Sequence, residues 1–300
     1  MNAATDVLGK LIALLDVEPI DGNTFRGDSQ DLGFRQLFGG HVLAQALVAA
    51  AKTVDADRPC HSLHGYFLRL GKTDEPIIYE VDAIRNGYSF STRRIVARQA
   101  SAAIFTMIAS FQRAENGPSH QIDTMPDVSG PDGLQSELDR LRKIQDKIPP
   151  AYRDNLTAER PIEIRVVDPV DYLAPAPKAP LKHSWFRTNG NIANHAGVNA
   201  AMQQAVLAYA SDFGLASTAG LPHGLTFFKP GIQIASLDHS IWFHRPVNLD
   251  DWMLYTKDGP TAEGARGFNR GRIFNRKGEL VASVAQESLI RSATKNEATK

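Results

Sequence analysis

Apolar and polar positions follow two periods along this chain, and the two periods come in the same order twice. Residues His41 to Lys52 read His-Val-Leu-Ala-Gln-Ala-Leu-Val-Ala-Ala-Ala-Lys, apolar on nearly every face. That pattern predicts a helix enclosed on all sides rather than one resting on a surface. Gly39-Gly40 stand just before it and predict a close approach of backbone or ligand at its N-terminus. Strand-like runs follow at 62–70, 76–84, 91–98 and 102–112, with Asn86-Gly87 as a turn between two of them. Ahead of all this, Asp6 to Asp16 reads as a short amphipathic helix.

The texture changes between about Ala114 and Pro180, where ten of the chain's 17 prolines fall. One helical piece is predicted there, Leu134 to Lys147. So long a segment does not suit a loop inside a compact domain and marks a boundary. A second helix pattern then runs from about Ala196 to Ser211. Strands are predicted at 231–245, 252–256, 265–274 and 280–291, with Asn275 to Gly278 as a hairpin turn.

The repetition extends to residues. Tyr66-Phe67-Leu68-Arg69 matches Trp242-Phe243-His244-Arg245 at an offset of 176, where Ile78-Tyr79 also meets Leu254-Tyr255 and Arg94 meets Arg270. Ser110-Phe111-Gln112-Arg113 matches Ser288-Leu289-Ile290-Arg291 at an offset of 178, as one longer hairpin in the second half would require. Each half is a helix followed by an antiparallel sheet, and an apolar helix needs a curved sheet to wrap it. The expected class is therefore α+β, a double hot-dog of two repeats, each a buried helix wrapped by an antiparallel β-sheet. Expected boundaries are 1–115 for the N-terminal hot-dog domain, 116–180 for the Pro-rich connection and 181–300 for the C-terminal hot-dog domain.

Composition narrows the function. Lys and Arg total 33 against 33 Asp and Glu, a formal net charge of +0, so nothing global points to nucleic acid or an anionic membrane. The single cysteine, Cys60, excludes a disulfide within the chain and a multi-cysteine zinc site. It reads as a small buried side chain; a thiolate role has only the neighbouring His61 to suggest it. No run approaches the ~18 apolar residues of a membrane helix. The first residues lack the pattern of a signal peptide and the last are not a Ser-Lys-Leu type of address, so the expected location is the cytoplasm.

Four segments together carry a resemblance to a known family. They are Phe25 to Gly40 (FRGDSQDLGFRQLFGG), His61 to Arg69 (HSLHGYFLR), Gly231 to Pro246 (GIQIASLDHSIWFHRP) and Ala265 to Gly271 (ARGFNRG). The chain resembles the acyl-CoA thioesterase II family, double hot-dog thioesterases, over roughly residues 5 to 291. The resemblance implies hydrolysis of acyl-CoA thioesters to free fatty acid and coenzyme A, and hence a place in lipid metabolism. It implies water activated by an Asp, a hydroxyl and a Gln of the second half, without metal, cofactor or covalent intermediate. Carried over by position, these are Asp212, Ser236 and Gln286. Some family members carry Thr where this chain has Ser236. The family is also described as dimers or tetramers, which makes a homodimer or homotetramer the expectation here.

The residue types suit that chemistry. Asp212 sits at the expected C-terminal end of its helix, where partial negative charge disfavours an acid, so its presence is a mild pointer to function. A Gln amide and a Ser hydroxyl each donate and accept, and with a carboxylate they can hold a water against a thioester carbonyl. Substrate contacts are expected at Gly40, His41, His61, His64 and Arg266, and Arg93, Arg94, Arg270 and Arg272 are further candidates for the phosphates of coenzyme A. A serine-hydrolase route fits poorly: Gly87-Tyr-Ser-Phe-Ser91 fails the nucleophile-elbow pattern at its last position, and Ser236, Asp238 and His239 lie too close along one strand to converge. His239 and His244, five apart, face opposite sides of a strand and are no metal pair. The competing readings are a hot-dog hydratase or dehydratase, which would need a His paired with an acid near a helix, and a non-catalytic acyl-CoA sensor, which would not need the three polar residues.

Overall fold

The computed structural model describes residues 6–33, 36–171, 173–226 and 231–292. Phe34 and Arg35 of the first motif and the C-terminal run Asn296 to Lys300 lie outside the described residues.

The N-terminal half comprises α1 (Val7–Leu15), β1 (Glu18–Asp21), β2 (Thr24–Gly27), α2 (Gly39–Ala51), β3 (Cys60–Phe67), β4 (Ile77–Asn86), β5 (Phe90–Gln99) and β6 (Ala102–Gln112). The middle segment forms α3 (Glu137–Lys143), α4 (Pro150–Thr157) and β7 (Ile162–Val166). The C-terminal half comprises β8 (Leu181–Thr188), α5 (Ala200–Ser211), β9 (Ile232–Ser236), β10 (Asp238–Phe243), β11 (Met253–Glu263), β12 (Arg266–Asn275) and β13 (Leu280–Ser292).

All strands join one antiparallel sheet in the order β1-β2-β4-β5-β6-β3-β10-β13-β12-β11-β8-β7, with β9 added on β13. The seam is β3 against β10, with Leu63 opposite Ile241. Outward from that seam each half repeats the other: β6, β5, β4, β2, β1 on one side and β13, β12, β11, β8, β7 on the other. This is the double hot-dog, and each half-sheet curves round an apolar helix. Eleven of the 13 residues of α2 are buried, as are nine of the 12 of α5.

The residue-level repeat has a structural counterpart. Tyr79 and Tyr255 are both fully buried and both bond the central helices, Tyr79 donating to Gln45 Oε1 at 2.8 Å and Tyr255 to the Ser211 carbonyl at 2.8 Å. The ion pair Arg94–Asp82 at 2.9 Å recurs as Arg270–Asp258 at 2.8 Å. The paired glycines are explained by the other helix. A Cβ on Gly40 would stand 2.5 Å from the Tyr209 carbonyl, and one on Gly39 would stand 2.8 Å from Asp212 Oδ2. The N-terminus of α2 therefore meets the C-terminus of α5 closely enough to admit only glycine.

Three differences from the sequence expectation matter for function. The middle segment is not only a connection: it holds a second helix, lends β7 to the sheet and covers the outside of β8, where Trp185 Nε1 donates to the Ser129 carbonyl at 2.8 Å. A β1–β2 hairpin, absent from the expectation, edges the first half. The strand expected over 231–245 is two strands broken at Leu237.

Candidate active site

Asp212 is the C-cap of α5, and its carboxylate points at the N-terminus of α2. Oδ2 accepts the Gly40 backbone N–H at 2.8 Å, and Oδ1 accepts the Gln286 amide at 2.8 Å. The partial positive charge at the start of α2 thus opposes the negative end of α5. The carboxylate belongs to one helix and is held by the other.

The break at Leu237 brings the remaining groups in. In β9 the inward positions are even, ending at Ser236; in β10 the buried His239, Ile241 and Phe243 are odd, and although Ser240 is buried as well, Trp242 on its face is exposed. The alternation changes phase across Leu237, whose N–H donates to the Glu287 carbonyl and whose own carbonyl accepts Phe67 N–H, each at 2.9 Å. One extra residue at a bend redirects every side chain beyond it. Ser236 and His239, which would face opposite ways in an unbroken strand, both face Gln286 of β13. Gln286 Nε2 lies 3.0 Å from Ser236 Oγ and 3.1 Å from His239 Nδ1. Asp238 turns away and accepts the Glu287 N–H at 2.6 Å.

The hydrogen bonds fix the protons. Ser211 Oγ donates to the Ala208 carbonyl at 2.8 Å, so its 2.9 Å contact with His239 Nε2 is one in which the histidine donates. His239 Nδ1 is then an acceptor, and the imidazole is neutral. Burial lowers its pKa from 6.5 against the opposing pull of Asp212, whose Oδ1 is 3.7 Å from Nδ1. The amide nitrogen of Gln286 must face Asp212, because a carboxylate can only accept. That nitrogen has two protons for three acceptors, and Gln286 Oε1 is buried with no hydrogen-bond partner among the described residues. An unsatisfied buried polar atom is costly, and such atoms collect where function requires them.

Asp212 and Ser236 open onto a cavity of about 470 Å³. Its walls come from residues 30–32 and 36–39, from α3 and α4, and from the inner face of β7, β8 and β11, with Phe186, Ile164 and Leu141 among the apolar lining. Both halves and the middle segment enclose it.

The other expected contacts lie elsewhere. Gly40 serves Asp212 rather than the cavity wall. His41 is buried beside Gln45, its pKa lowered to about 4 by burial. His61 bonds Ser110 Oγ at 2.8 Å, and His64 is half exposed and 3.9 Å from Asp238. Neither histidine lines the cavity, and nor does Arg266, which pairs with Glu287 at 2.9 Å. Arg94, Arg270 and Arg272 are paired with Asp82, Asp258 and Asp123. Arg93 is buried and donates to Thr53, Arg85 and Asn86, tying β5 to the end of α2. Burial pushes the Cys60 thiol up to about 12, which suits a packing role.

His239 is the residue that sequence reasoning missed. Its signal was the phase change between Ile234 and Ile241, which a reading of 231–245 as one strand passed over.

Comparison with known proteins shows the family and the fold. Residues 27–112 match the family model described as acyl-CoA thioesterase N-terminal domain, and residues 154–289 match the one described as acyl-CoA thioesterase. The chain is 43% identical over 291 residues to acyl-CoA thioesterase 2 of Haemophilus influenzae, covering 96% of this chain and 99% of that protein. It is 39% identical to the solved acyl-CoA thioesterase II TesB2 of Mycobacterium marinum, with a TM-score of 0.75 over 94% of this chain and 98% of that one. A protein of hot-dog fold from Alicyclobacillus acidocaldarius, 16% identical, shares the fold at a TM-score of 0.75 over 95% of this chain and 99% of that one.

Proposed function

The chain belongs to the acyl-CoA thioesterase II family, and from that premise we propose that Asp212, Ser236 and Gln286 hold and activate the water that cleaves its thioester. The enzyme hydrolyses acyl-CoA to a carboxylic acid and coenzyme A. The observation that carries the residue assignment is the convergence on one amide. Gln286 Nε2 reaches Asp212 Oδ1 and Ser236 Oγ, from three separate elements, beside the cavity.

In the mechanism, water sits against Asp212 and the Ser236 hydroxyl, with Gln286 Oε1 as a further acceptor for its second proton. Its oxygen attacks the thioester carbonyl carbon as Asp212 takes a proton. The tetrahedral intermediate collapses, the carbon–sulfur bond breaks, and the leaving thiolate takes up the proton. Gly40 N–H and the start of α2 keep the carboxylate aimed. His239, neutral, accepts from the Gln286 amide and so positions it; it is not the base. The N-terminal half (1–115) supplies Gly40 and part of the cavity wall, the segment 116–180 closes the cavity, and the C-terminal half (181–300) supplies the reacting groups. The recurrence of Arg94–Asp82 as Arg270–Asp258 supports that division.

The test is release of coenzyme A thiol from saturated acyl-CoAs of C2 to C18 by wild type and Asp212→Asn. Loss of a positioned base predicts a fall of about 10²–10⁴-fold in kcat. Full activity in Asp212→Asn would remove Asp212 from the role of base.

A further inference from the structure

Ser211 and Asp212 are consecutive at the end of α5, and the side chains of both act on the Gln286 amide. Asp212 Oδ1 accepts from Gln286 Nε2 directly, at 2.8 Å. Ser211 reaches the same nitrogen through His239: Ser211 Oγ is 2.9 Å from Nε2 of the imidazole, and Nδ1 is 3.1 Å from Gln286 Nε2. Ser211 and His239 are fully buried, and neither lines the cavity. Ser211 is anchored at both ends, its hydroxyl donating to the Ala208 carbonyl and its own carbonyl accepting from Tyr255, each at 2.8 Å. A buried histidine needs two hydrogen-bond partners; this one has two whose polarity is fixed.

The direction of each bond follows from the first. The Ser211 proton is spent on Ala208, so Ser211 Oγ accepts and His239 carries its proton on Nε2. Nδ1 then presents a lone pair to the amide. With the proton on Nδ1 instead, two N–H groups would face each other across 3.1 Å. The amide could not answer by turning over, because its oxygen would then stand 2.8 Å from the Asp212 carboxylate, acceptor against acceptor. It could only swing away, which breaks its contacts with Asp212 and Ser236 together. Asp212 thus blocks one wrong orientation of Gln286, and the neighbouring Ser211 blocks the other.

Building on the thioesterase reading, we propose that Ser211 is a positioning residue of the reaction: it sets the His239 tautomer and so holds the Gln286 amide between Asp212 and Ser236. It touches neither substrate nor attacking water. It acts on the geometry in which the reacting groups meet, and misplacement of such groups costs rate. Ala at this position keeps the helix, being the best helix former, and deletes the acceptor. His239→Asn bypasses the serine: the Asn side-chain oxygen takes the place of Nδ1 and accepts from Gln286 with no tautomer to be set.

The experiment measures kcat and KM with the fastest saturated acyl-CoA of the C2 to C18 panel for wild type, Ser211→Ala, His239→Asn and the double variant, with kcat referred to the folded fraction from circular dichroism. Ser211→Ala should lower kcat by about 3–10-fold, the worth of one buried hydrogen bond, and leave KM within about twofold. In the His239→Asn background the same substitution should change kcat by less than about twofold, since the two residues act as one unit. Side-chain nitrogen NMR at pH 7 should show the His239 proton on Nε2 in wild type and a population with it on Nδ1 in Ser211→Ala. Losses that multiply in the double variant would mean that Ser211 acts apart from His239, and would overturn the inference. Wild-type kcat in Ser211→Ala would overturn it too, while leaving the thioesterase reading intact. Should His239→Asn release no thiol, the NMR decides, and an unchanged Nε2 proton in Ser211→Ala overturns the inference. No thiol release by wild type from any ester would overturn the catalytic assignment, and the positioning role with it.

Discussion

Lys257 of β11 is buried, and its burial has a thermodynamic consequence that can be measured without any substrate. Lys257 carries a pKa lowered from 10.5 to about 7, chiefly because burial removes water from the ammonium and secondarily because Lys182 faces it. In the unfolded chain the amine is protonated up to about pH 10.5; in the folded chain it gives up its proton near pH 7. Between those values the unfolded state binds more protons, so stability rises with pH across that window, and the full cost is present below it. At about 1.4 kcal/mol per pH unit, the cost at pH 7 is on the order of 4 kcal/mol, and raising the pH to 9 recovers about 2–3 kcal/mol of it. Lys257→Met keeps the volume and removes the charge. Its unfolding free energy, from urea titration at pH 7 and pH 9, should therefore exceed that of the wild type by about 2–3 kcal/mol more at pH 7 than at pH 9. The loss of the Ser184 bond and the Tyr255 ring contact lowers both values alike and leaves the difference intact. An identical stability increment at the two pH values would mean that Lys257 is solvated in the folded protein, and the argument from burial would fail.

Four further outcomes are expected. Gln286→Glu places a second carboxylate 2.8 Å from Asp212 Oδ1, so one of the pair holds a proton to higher pH and the acid limb of kcat/KM should move up by more than one unit; an unmoved limb would count against the pairing. Gly40→Ala drives a methyl to 2.5 Å from the Tyr209 carbonyl, and the forced separation of the two helices should lower stability by about 1–3 kcal/mol in urea titration. His41 and His239 are both held neutral by burial, with folded values below 6.5, so stability should fall as pH drops from 6.5, His41 alone accounting for about 2 kcal/mol by pH 5. Side-chain nitrogen NMR of His239 should show the proton on Nε2 at pH 7, and a proton on Nδ1 would undo the account of how Gln286 is positioned.

Much of the architecture was legible because it is written in periods. The helices α1, α2 and α5, the strands β3 to β6 and the strands β11 to β13 follow from local alternation, and the repeat at an offset of 176 disclosed the second half. What escaped were features set by more distant contacts. The strands β7 and β8 lie in proline-rich or weakly alternating sequence and form because the sheet offers them an edge. The bend at Leu237 involves no glycine or proline; it is imposed by Phe67 and Glu287 from neighbouring strands. The inward position of Lys257 was recoverable, since Met253, Tyr255 and Lys257 share one phase, but β11 is buried on its outer face too, where Trp252 and Leu254 pack under the middle segment. With no polar face, no alternation marks the lysine as exceptional.

The repeat also poses the question of why the proposed reacting groups lie in one half, and polar satisfaction supplies a reason. The first half has its own buried amide, Gln45 of α2. Its nitrogen donates to the carbonyls of Leu14 and Asp28 at 2.6 and 3.0 Å, and its oxygen accepts from Tyr79 at 2.8 Å. Every strong valence is used inside the protein, and a group so paired stabilises the fold and has nothing to offer a ligand. In the second half the equivalent tyrosine, Tyr255, bonds the Ser211 carbonyl instead, the Gln286 oxygen has no partner among the described residues, and Asp212 is held by Gly40 of the other half. Two glycines on α2 permit that approach; any side chain at Gly40 would hold the helices apart. The first half thus completes the site proposed in the second, and fusion of the two repeats in one chain fixes at a single stoichiometry the contact between Gly40 and Asp212.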